Sequence, residues 1–317
     1  MKYTRILVVI AALFCFVLPT FAQDFGLGED DGALLVSAVD SSAAAGSFSY
    51  EFTAAVVTAG MGEGGDVAID IAGSGVVSAD GFTMIVTGEI TANGDSIPAD
   101  LEIRVIEEAI YINIGGQWLS ITGEDVTSLG DMAGGMGAAG GLPFDPNALM
   151  NGDVGEFGDA MAALNDLDAT DFVAQARLED EDGQARFQTS FDVAALLSNE
   201  DFGTFLSSIL EQAAAQSGQD MDDMSPAQMG MMVQMMGVML EDATFTFDQL
   251  VDLESNTVSG ASLVMDVPLD AMTGEEGAGV LLNFDIELSG YGDSYTIEVP
   301  EDAQPLMEMF GAMMGNT

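Results

Sequence analysis

The chain has 317 residues, 48% of them hydrophobic, and its 53 acidic residues outnumber five basic ones, for a net charge of −48 at pH 7. Disordered chains do not have such a hydrophobic fraction, so we expect a folded core under a strongly acidic surface. This charge repels nucleic acid and anionic lipid surfaces and excludes both as electrostatic partners. The sequence has no histidine and a single cysteine, which excludes Ser-His-Asp and Cys-His catalysis and zinc sites built from those residues.

Residues 1–22 have the composition of a secretory signal peptide. Two basic residues precede an apolar stretch of thirteen, and a small residue at Ala22 predicts cleavage before Gln23. A membrane span needs about 20 apolar residues, so we expect a cleaved signal and no stable span in the mature chain. Cleavage also removes Cys15 and leaves three arginines against 53 acidic residues, a net charge of −50 on 295 residues. We therefore expect an extracytoplasmic protein that is secreted, periplasmic or on the cell surface.

The rest of the chain divides into three parts. Residues 23–46 are small and acidic without a sustained period, and we expect a flexible lead-in. Residues 47–303 are expected to form a single domain, followed by a C-terminal tail at 304–317 with one or two helical turns. Within the domain, residues 123–160 are rich in glycine and methionine and carry two prolines, which predicts a long loop.

Residues 47–122 alternate apolar and polar side chains in short segments, which predicts an antiparallel meander with one apolar face. Gly115-Gly116 separates two of these segments and predicts a two-residue hairpin turn. Two segments supply the residues that we expect to form one wall of a binding site, namely Val67, Ile69, Ile71, Leu101, Ile103 and Val105.

The second half of the domain begins with a predicted hairpin that turns at residues 182–183. Counting outward from this turn pairs Glu181 with Gln184 and Glu179 with Arg186, and the second of these pairs predicts an exposed ion pair. Four strands are predicted near the end of the chain, over residues 243–255, 258–270, 279–292 and 294–300.

Two helices are predicted between these strands and the hairpin, over residues 201–216 and 225–240. The second is rich in methionine and apolar nearly all round, which favours burial in a core or the wall of an apolar pocket. Methionine suits a pocket wall because its flexible, polarisable side chain adapts to varied guests. A Cu(I) site is the third interpretation, since thioether sulfur binds this soft ion. The pocket interpretation assigns ligand contacts to Met232, Met236 and Met239.

Three further features of the sequence are weaker. Trp118, the only tryptophan, is expected in the core rather than in an aromatic cage. Residues 135–140 match the dinucleotide-binding fingerprint by letter, but a Leu-Pro pair follows where a helix must open, which argues against that site. The acidic residues 166–171 are a candidate for calcium binding at the surface.

The run AIYINIGGQWLSI, residues 109–121, resembles a recurring feature of extracytoplasmic lipoproteins of the LppX/LprG type. The preceding meander, the predicted helices and the segment YTIEVPEDA, residues 295–303, are also similar to that family. The resemblance implies a LolA-like fold, in which a curved antiparallel sheet forms a half-barrel with helices on its concave side and a lipid cavity between them. This chain differs from those lipoproteins because it lacks a lipidated cysteine.

These observations together predict an α+β protein with a strongly curved antiparallel half-barrel packed on a few helices. The expected function is non-enzymatic: the protein holds or carries an apolar, lipid-like small molecule between the sheet and the helices, without a cofactor, a catalytic residue or a metal. One alternative is a surface or structural protein whose core is filled by its own side chains. The other is an extracytoplasmic copper-binding protein. The sequence identifies no protein partner.

Overall fold

The computed structural model describes residues 26–60, 66–92, 94–106, 109–122, 172–199 and 242–306. The predicted signal peptide, the loop predicted at 123–160 and the helices predicted at 201–216 and 225–240 lie outside these ranges. The same holds for the sites considered at residues 135–140 and 166–171 and for Met232, Met236 and Met239. The interpretations that depend on these residues therefore remain predictions.

The described residues form twelve strands and three helices. The strands are β1 (Phe48–Ala59), β2 (Val67–Ser78), β3 (Gly81–Ala92), β4 (Asp95–Ile106), β5 (Ala109–Ile114), β6 (Gln117–Thr122), β7 (Val173–Arg177), β8 (Gln184–Phe191), β9 (Thr244–Asp252), β10 (Thr257–Pro268), β11 (Gly279–Ser289) and β12 (Gln304–Pro305). The helices are α1 (Glu29–Ala45), α2 (Val193–Ser198) and α3 (Asp270–Thr273). The predicted meander, the glycine turn between β5 and β6, and three of the four predicted late strands are confirmed.

All twelve strands lie in one sheet with the order β12-β6-β5-β4-β3-β2-β1-β11-β10-β9-β8-β7. Neighbouring strands are antiparallel except β12, which runs parallel to β6. Strands β1 and β11 join the two halves of the chain through eleven residue pairs. The result is an open, curled antiparallel sheet that fits the expected half-barrel, with a smaller described helical part than the expected α+β class implies.

One face of the sheet is apolar, and we call it the inner face. The register places its central row across seven strands, in the order Phe187, Gln249, Ala261, Ile286, Phe52, Gly73 and Val86. Both ends of this row, Phe187 in β8 and Val86 in β3, belong to the same buried hydrophobic cluster. This cluster therefore spans both halves of the chain.

Glycines let the central strands curl around aromatic rings on the inner face. A Cβ at Gly73 would collide with the ring of Phe52, and a Cβ at Gly75 would collide with the ring of Tyr50. Glycine inside a strand is typical of such bends and close approaches. The missing side chains of β2 therefore give Phe52 and Tyr50 room to lie within the curl.

Residues 29–45 form helix α1, so the expected flexible lead-in is wrong for this segment. Leu35 and Ala38 are 1% and 0% exposed and pack in the same buried cluster as Phe187. Three acidic residues occupy the first turn, where the helix dipole favours negative charge, and Gly46 ends the helix in the left-handed conformation with φ 72°. The segment is ordered because its small side chains allow close packing on the sheet.

Serines of α1 also fix the helix to the β9–β10 turn. The Ser42 hydroxyl accepts a hydrogen bond from the Val258 backbone N–H at 2.9 Å. The Asn256 side chain donates to the hydroxyls of Ser37 at 2.8 Å and Ser41 at 3.2 Å. The small residues of this segment suggested a mobile lead-in in the sequence. In the fold, its serines form hydrogen bonds with backbone and side-chain groups of the sheet.

The predicted hairpin at residues 182–183 forms with the expected Glu181–Gln184 bridge, but the expected Glu179–Arg186 ion pair is wrong. Farther from the turn, Arg177 rather than Leu178 lies opposite Phe187, so the β7 side carries one extra residue. Such an irregularity shifts every later pair. Arg186 instead pairs with Asp248 of β9, on the face opposite to the inner face.

The strand predicted at residues 294–300 does not form, and the chain leaves the sheet after β11. Both edges of β11 are already paired, with β1 and β10, so the next segment has no free edge beside it. This segment instead crosses the outer face, where the Glu298 carbonyl accepts a hydrogen bond from Arg104 at 2.7 Å. Trp118 also lies on the outer face, half-buried beneath the Arg104 guanidinium at 4.7 Å, so its predicted place in the core is wrong.

Candidate ligand-binding face

The inner face carries all six of the wall residues predicted within the described strands. The pairs Ile71–Gly88 and Gly88–Ala99 connect β2 to β4 through β3, and they place the odd-numbered residues of β2 and β4 on one side of the sheet. Ile69 and Ile71 are buried, at 7% and 2% exposure. The other four are partly buried, namely Val67, Leu101, Ile103 and Val105.

A group of aromatic rings occupies the middle of the inner face. The ring centroid of Tyr50 lies 6.4 Å from that of Phe52 and 6.0 Å from that of Phe82, and Phe52 lies 6.2 Å from Phe284. The Tyr50 hydroxyl donates to the Thr83 carbonyl at 2.7 Å, so its burial leaves no polar group unmatched. The alternation in β1 predicted these rings as strand residues, but it did not predict that they meet.

Helix α1 covers one end of the inner face. Leu35 and Ala38 belong to the same buried cluster as Phe187, Val251 and Val258, which come from β8, β9 and β10. At the start of the helix, Asp31 pairs with Arg177 of β7 at 2.7 Å. The helix therefore lies across the strands, and apolar side chains of the helix pack against apolar side chains of the sheet.

The apolar inner face extends beyond this buried cluster toward β4 and β5. Ile97 pairs with Ile90 and Ile114 pairs with Leu101, so both belong to the inner face. Their exposures are 57% and 58%, the largest among the exposed large apolar residues of the described chain. Exposed apolar surface that continues from a core is typical of a binding surface. This end of the sheet is accessible to an apolar guest.

Three polar side chains interrupt the inner face at β7, β8 and β9. Gln175, Thr189 and Gln249 are 5%, 0% and 1% exposed, and Gln175 Nε2 donates to Thr189 Oγ1 at 3.1 Å. Their burial was not predicted, although the sequence carries a signal for it. Each occupies a position where the alternation calls for an apolar residue, as in the series Phe245, Phe247, Gln249 and Val251. A polar residue in the apolar phase of a strand therefore indicates a buried polar group.

Arg177 is the only basic side chain that the described strands place on the inner face. Its guanidinium contacts Asp180 at 2.8 Å and Asp31 at 2.7 Å. The hydrogen bond to Asp180 raises the pKa of Arg177 most, and the hydrogen bond to Asp31 raises it further. It lies 5.9 Å from the centroid of the Phe187 ring. Both of its carboxylate partners come from the chain itself, so this cation is already neutralised.

The outer face carries a shallow groove beside β4 and β6. It has a volume of about 470 Å³ and is lined by Arg104, Trp118 and residues 298–302. Arg104 hydrogen-bonds to Glu102 Oε1 at 2.7 Å as well as to the Glu298 carbonyl. Because its guanidinium is already paired and the lining is mainly polar, this groove is a weaker candidate for an apolar ligand than the inner face.

Metal sites and membrane-spanning helices are two further features for which the described residues were compared with known requirements. Within the described ranges, no group of three or more acidic, cysteine or histidine residues is arranged to hold a metal ion. No helix among the described residues has the length and hydropathy required to cross a bilayer.

Comparisons with known proteins give matches by structure. No protein-family model and no curated protein sequence matches the chain. Similar solved structures include LprF from Mycobacterium bovis, with 14% identity, a TM-score of 0.32 and coverage of 86% of this chain and 98% of that one. A LolA superfamily protein from Nitrosomonas europaea has 8% identity and a TM-score of 0.22, with 85% and 94% coverage. A structure of lipid–protein interactions in lipovitellin has 7% identity and a TM-score of 0.29, over 81% of this chain and 26% of that one.

Proposed function

We propose that this protein is an extracytoplasmic, non-enzymatic binding protein that holds or carries an apolar, lipid-like molecule on the inner face of its sheet. The observation that carries the proposal is the continuity of the apolar face. It runs from the core beneath α1 to Ile97 and Ile114, which are more than half exposed. A filled structural core would end where its apolar residues are covered.

The energetics of such a face suit a lipid tail. Transfer of one methylene out of water contributes about 0.8 kcal/mol, so ten methylenes contribute roughly 8 kcal/mol. Association costs about 4–15 kcal/mol in lost freedom, so a long tail offsets much or all of this cost without a specific polar contact. Partly buried side chains such as Ile103 and Val105 of the inner face supply the matching surface.

The charge distribution also favours the inner face over the outer one. On the outer face, exposed carboxylates oppose each other directly across strands, as in the pairs Glu51–Glu287 and Asp70–Glu89. Like charges in such positions repel one another and keep their surroundings hydrated. The charge pattern of the described strands therefore favours the inner face for an apolar guest.

A pair of matched variants tests the proposal. Ile114→Asn places a polar group on the exposed part of the inner face, whereas Ile85→Asn makes the same change on the outer face, where Ile85 is 43% exposed. We expect the first variant to weaken binding of a fluorescent fatty-acid or lipid probe about tenfold and the second to leave binding unchanged. Thermal melts of both variants establish that each is folded.

Three outcomes distinguish the candidate functions. Loss of binding in the Ile114 variant alone supports the inner face as the site. Equal loss in both variants, or equal retention in both, refutes this location. A wild-type protein that binds no probe at micromolar concentration supports the alternative of a structural protein with a filled core.

A further inference from the structure

The inner face contains buried amide atoms that have no hydrogen-bond partner among the described residues. Within the described part of the chain, neither Oε1 nor Nε2 of Gln249 has a partner, and Oε1 of Gln175 has none. The two residues are 1% and 5% exposed. A buried polar atom without a partner is costly, and native proteins seldom keep one without a reason.

The register places both amides beside Thr189, which lies on the strand between them. Gln175 is directly opposite Thr189, and Gln249 is diagonal to Thr189, since Thr189 is opposite Phe247. Diagonal neighbours on one face lie within reach of long side chains. The Gln175–Thr189 hydrogen bond uses one donor of the cluster. The Gln175 oxygen and the whole Gln249 amide remain without a partner in the described part of the chain.

The side chains directly beside Gln249 on the neighbouring strands are apolar and buried. Phe187 and Ala261 lie directly beside Gln249 on the neighbouring strands. Phe187 is 0% exposed and Ala261 is 6% exposed. Leucine or methionine would fill such a position without an unmatched polar group. Apolar packing alone therefore does not account for an amide at Gln249.

The cluster is uncharged, and this decides which ligand chemistry it suits. Gln175, Gln249 and Thr189 offer both donors and acceptors but no formal charge. Arg177, the only basic side chain of the described strands on this face, is paired with Asp180 and Asp31. A buried carboxylate or phosphate would therefore have no free counter-charge at this end of the face.

We infer that Gln249, Gln175 and Thr189 form a polar subsite for an uncharged hydroxyl or ester group of the ligand. This inference rests on the proposed function, because it assigns the polar end of the molecule whose tail binds the apolar part of the inner face. The ligand class is a neutral amphiphile, such as a glyceride. The amide of Gln249 donates to and accepts from its polar group, and the oxygen of Gln175 accepts from its hydroxyl.

Competition binding with three lipids of equal chain length tests this assignment. Monoolein carries hydroxyl and ester groups, oleate carries a charge, and octadecene carries no polar group. We expect the wild-type protein to bind monoolein roughly ten- to a hundredfold more tightly than octadecene, the range expected for buried hydrogen-bonding groups. Gln249→Leu should remove most of this preference while octadecene binding stays unchanged.

The control variant is Gln188→Leu, because Gln188 lies on the opposite face and donates to Asp248. It should keep the monoolein preference. If Gln249→Leu does not fold, Gln249→Met retains the length of the side chain and is measured in its place. The melting temperature of the ligand-free Gln249 variant should equal or exceed that of the wild type, since an unmatched amide has been removed.

The outcomes separate this inference from the proposed function. Unchanged monoolein preference in the Gln249 variant, or tighter binding of oleate than of monoolein, overturns the neutral subsite while leaving lipid binding intact. Failure of all three lipids to bind the wild-type protein overturns both. A lower melting temperature of the variant without any change in binding shows that the amide is structural and also overturns the subsite.

Discussion

Truncation of Leu35 tests whether α1 is part of the core. Leu35 lies in the middle of the helix, is 1% exposed and belongs to the cluster that includes Phe187 and Val251. Leu35→Ala keeps the helix, since alanine has the highest helix propensity. The substitution therefore changes packing against the sheet and little else.

The expected loss follows from the burial of the side chain. Replacing a fully buried leucine by alanine costs about 2–5 kcal/mol, depending on how far the site collapses into the cavity. A single helix on an open face adjusts more easily than a central strand. We therefore expect Leu35→Ala to lower the free energy of unfolding by about 3 kcal/mol. Domains are typically stable by about 5–15 kcal/mol. The change is therefore a large fraction of the total.

Urea unfolding of the wild type and two variants measures this difference. The control is Val36→Ala, because Val36 follows Leu35 in the same helix but is 39% exposed. We expect its free energy of unfolding to stay within about 0.5 kcal/mol of the wild type. If Leu35→Ala is as mild as the control, α1 does not contribute to the core and the flexible lead-in expected from the sequence is restored.

Three further predictions concern charge and metal. The facing carboxylates Glu51 and Glu287 repel each other, so the melting temperature should rise between dilute buffer and molar salt; a melting temperature indifferent to salt contradicts this. The backbone N–H groups of Ser255 and Glu254 donate to Asp252 and lower its pKa below the ordinary value of an aspartate carboxyl group. Because the folded pKa is depressed, the stabilisation is present above that value and lost at lower pH. Asp252→Ala should then lower the melting temperature more at pH 7 than in acid well below that value, and an equal effect at both pH values would refute the linkage. Anaerobic calorimetric titration with Cu(I) should show no tight site, since the methionine-rich segment at 225–240 is apolar nearly all round; stoichiometric binding would reverse that interpretation.

The sheet could be predicted from the sequence where alternation was clear. In β2 and β4, every second residue is apolar, and the same residues lie on the inner face. The register between β1 and β11 could not be predicted, because pairing over so long a separation depends on contacts that no local pattern encodes. The position of Trp118 was missed for the same reason, since its partner Arg104 lies on a different strand.

Helix α1 could not be predicted because its signal lies in small residues. Its alanines and serines lack a strong apolar stripe, and packing on the sheet decides their structure. The strand predicted at 294–300 does not form, for the opposite reason. Its pattern suits a strand, but β11 has no free edge to pair with it. Local patterns thus predict which segments suit a strand, whereas edge availability decides which of them form one.

Part of the candidate site could likewise be predicted from local patterns, and part could not. Ile69 and Ile71 followed from alternation, whereas Gln175 and Gln249 were passed over because a polar residue in a strand suggests exposure. The contribution of Met236 and the neighbouring methionines stays a prediction, since they lie outside the described residues. The resemblance of residues 109–121 to LppX/LprG lipoproteins also stays a prediction.

Binding of an apolar ligand on the inner face is tested most directly by native mass spectrometry of the protein purified from its own host. We expect a species heavier than the chain alone by the mass of a lipid, which disappears when the protein is denatured. Extraction and analysis of that lipid should then show a long apolar tail. A single species with the mass of the chain alone, from protein that also takes up no lipid probe at micromolar concentration, would contradict ligand binding on the inner face.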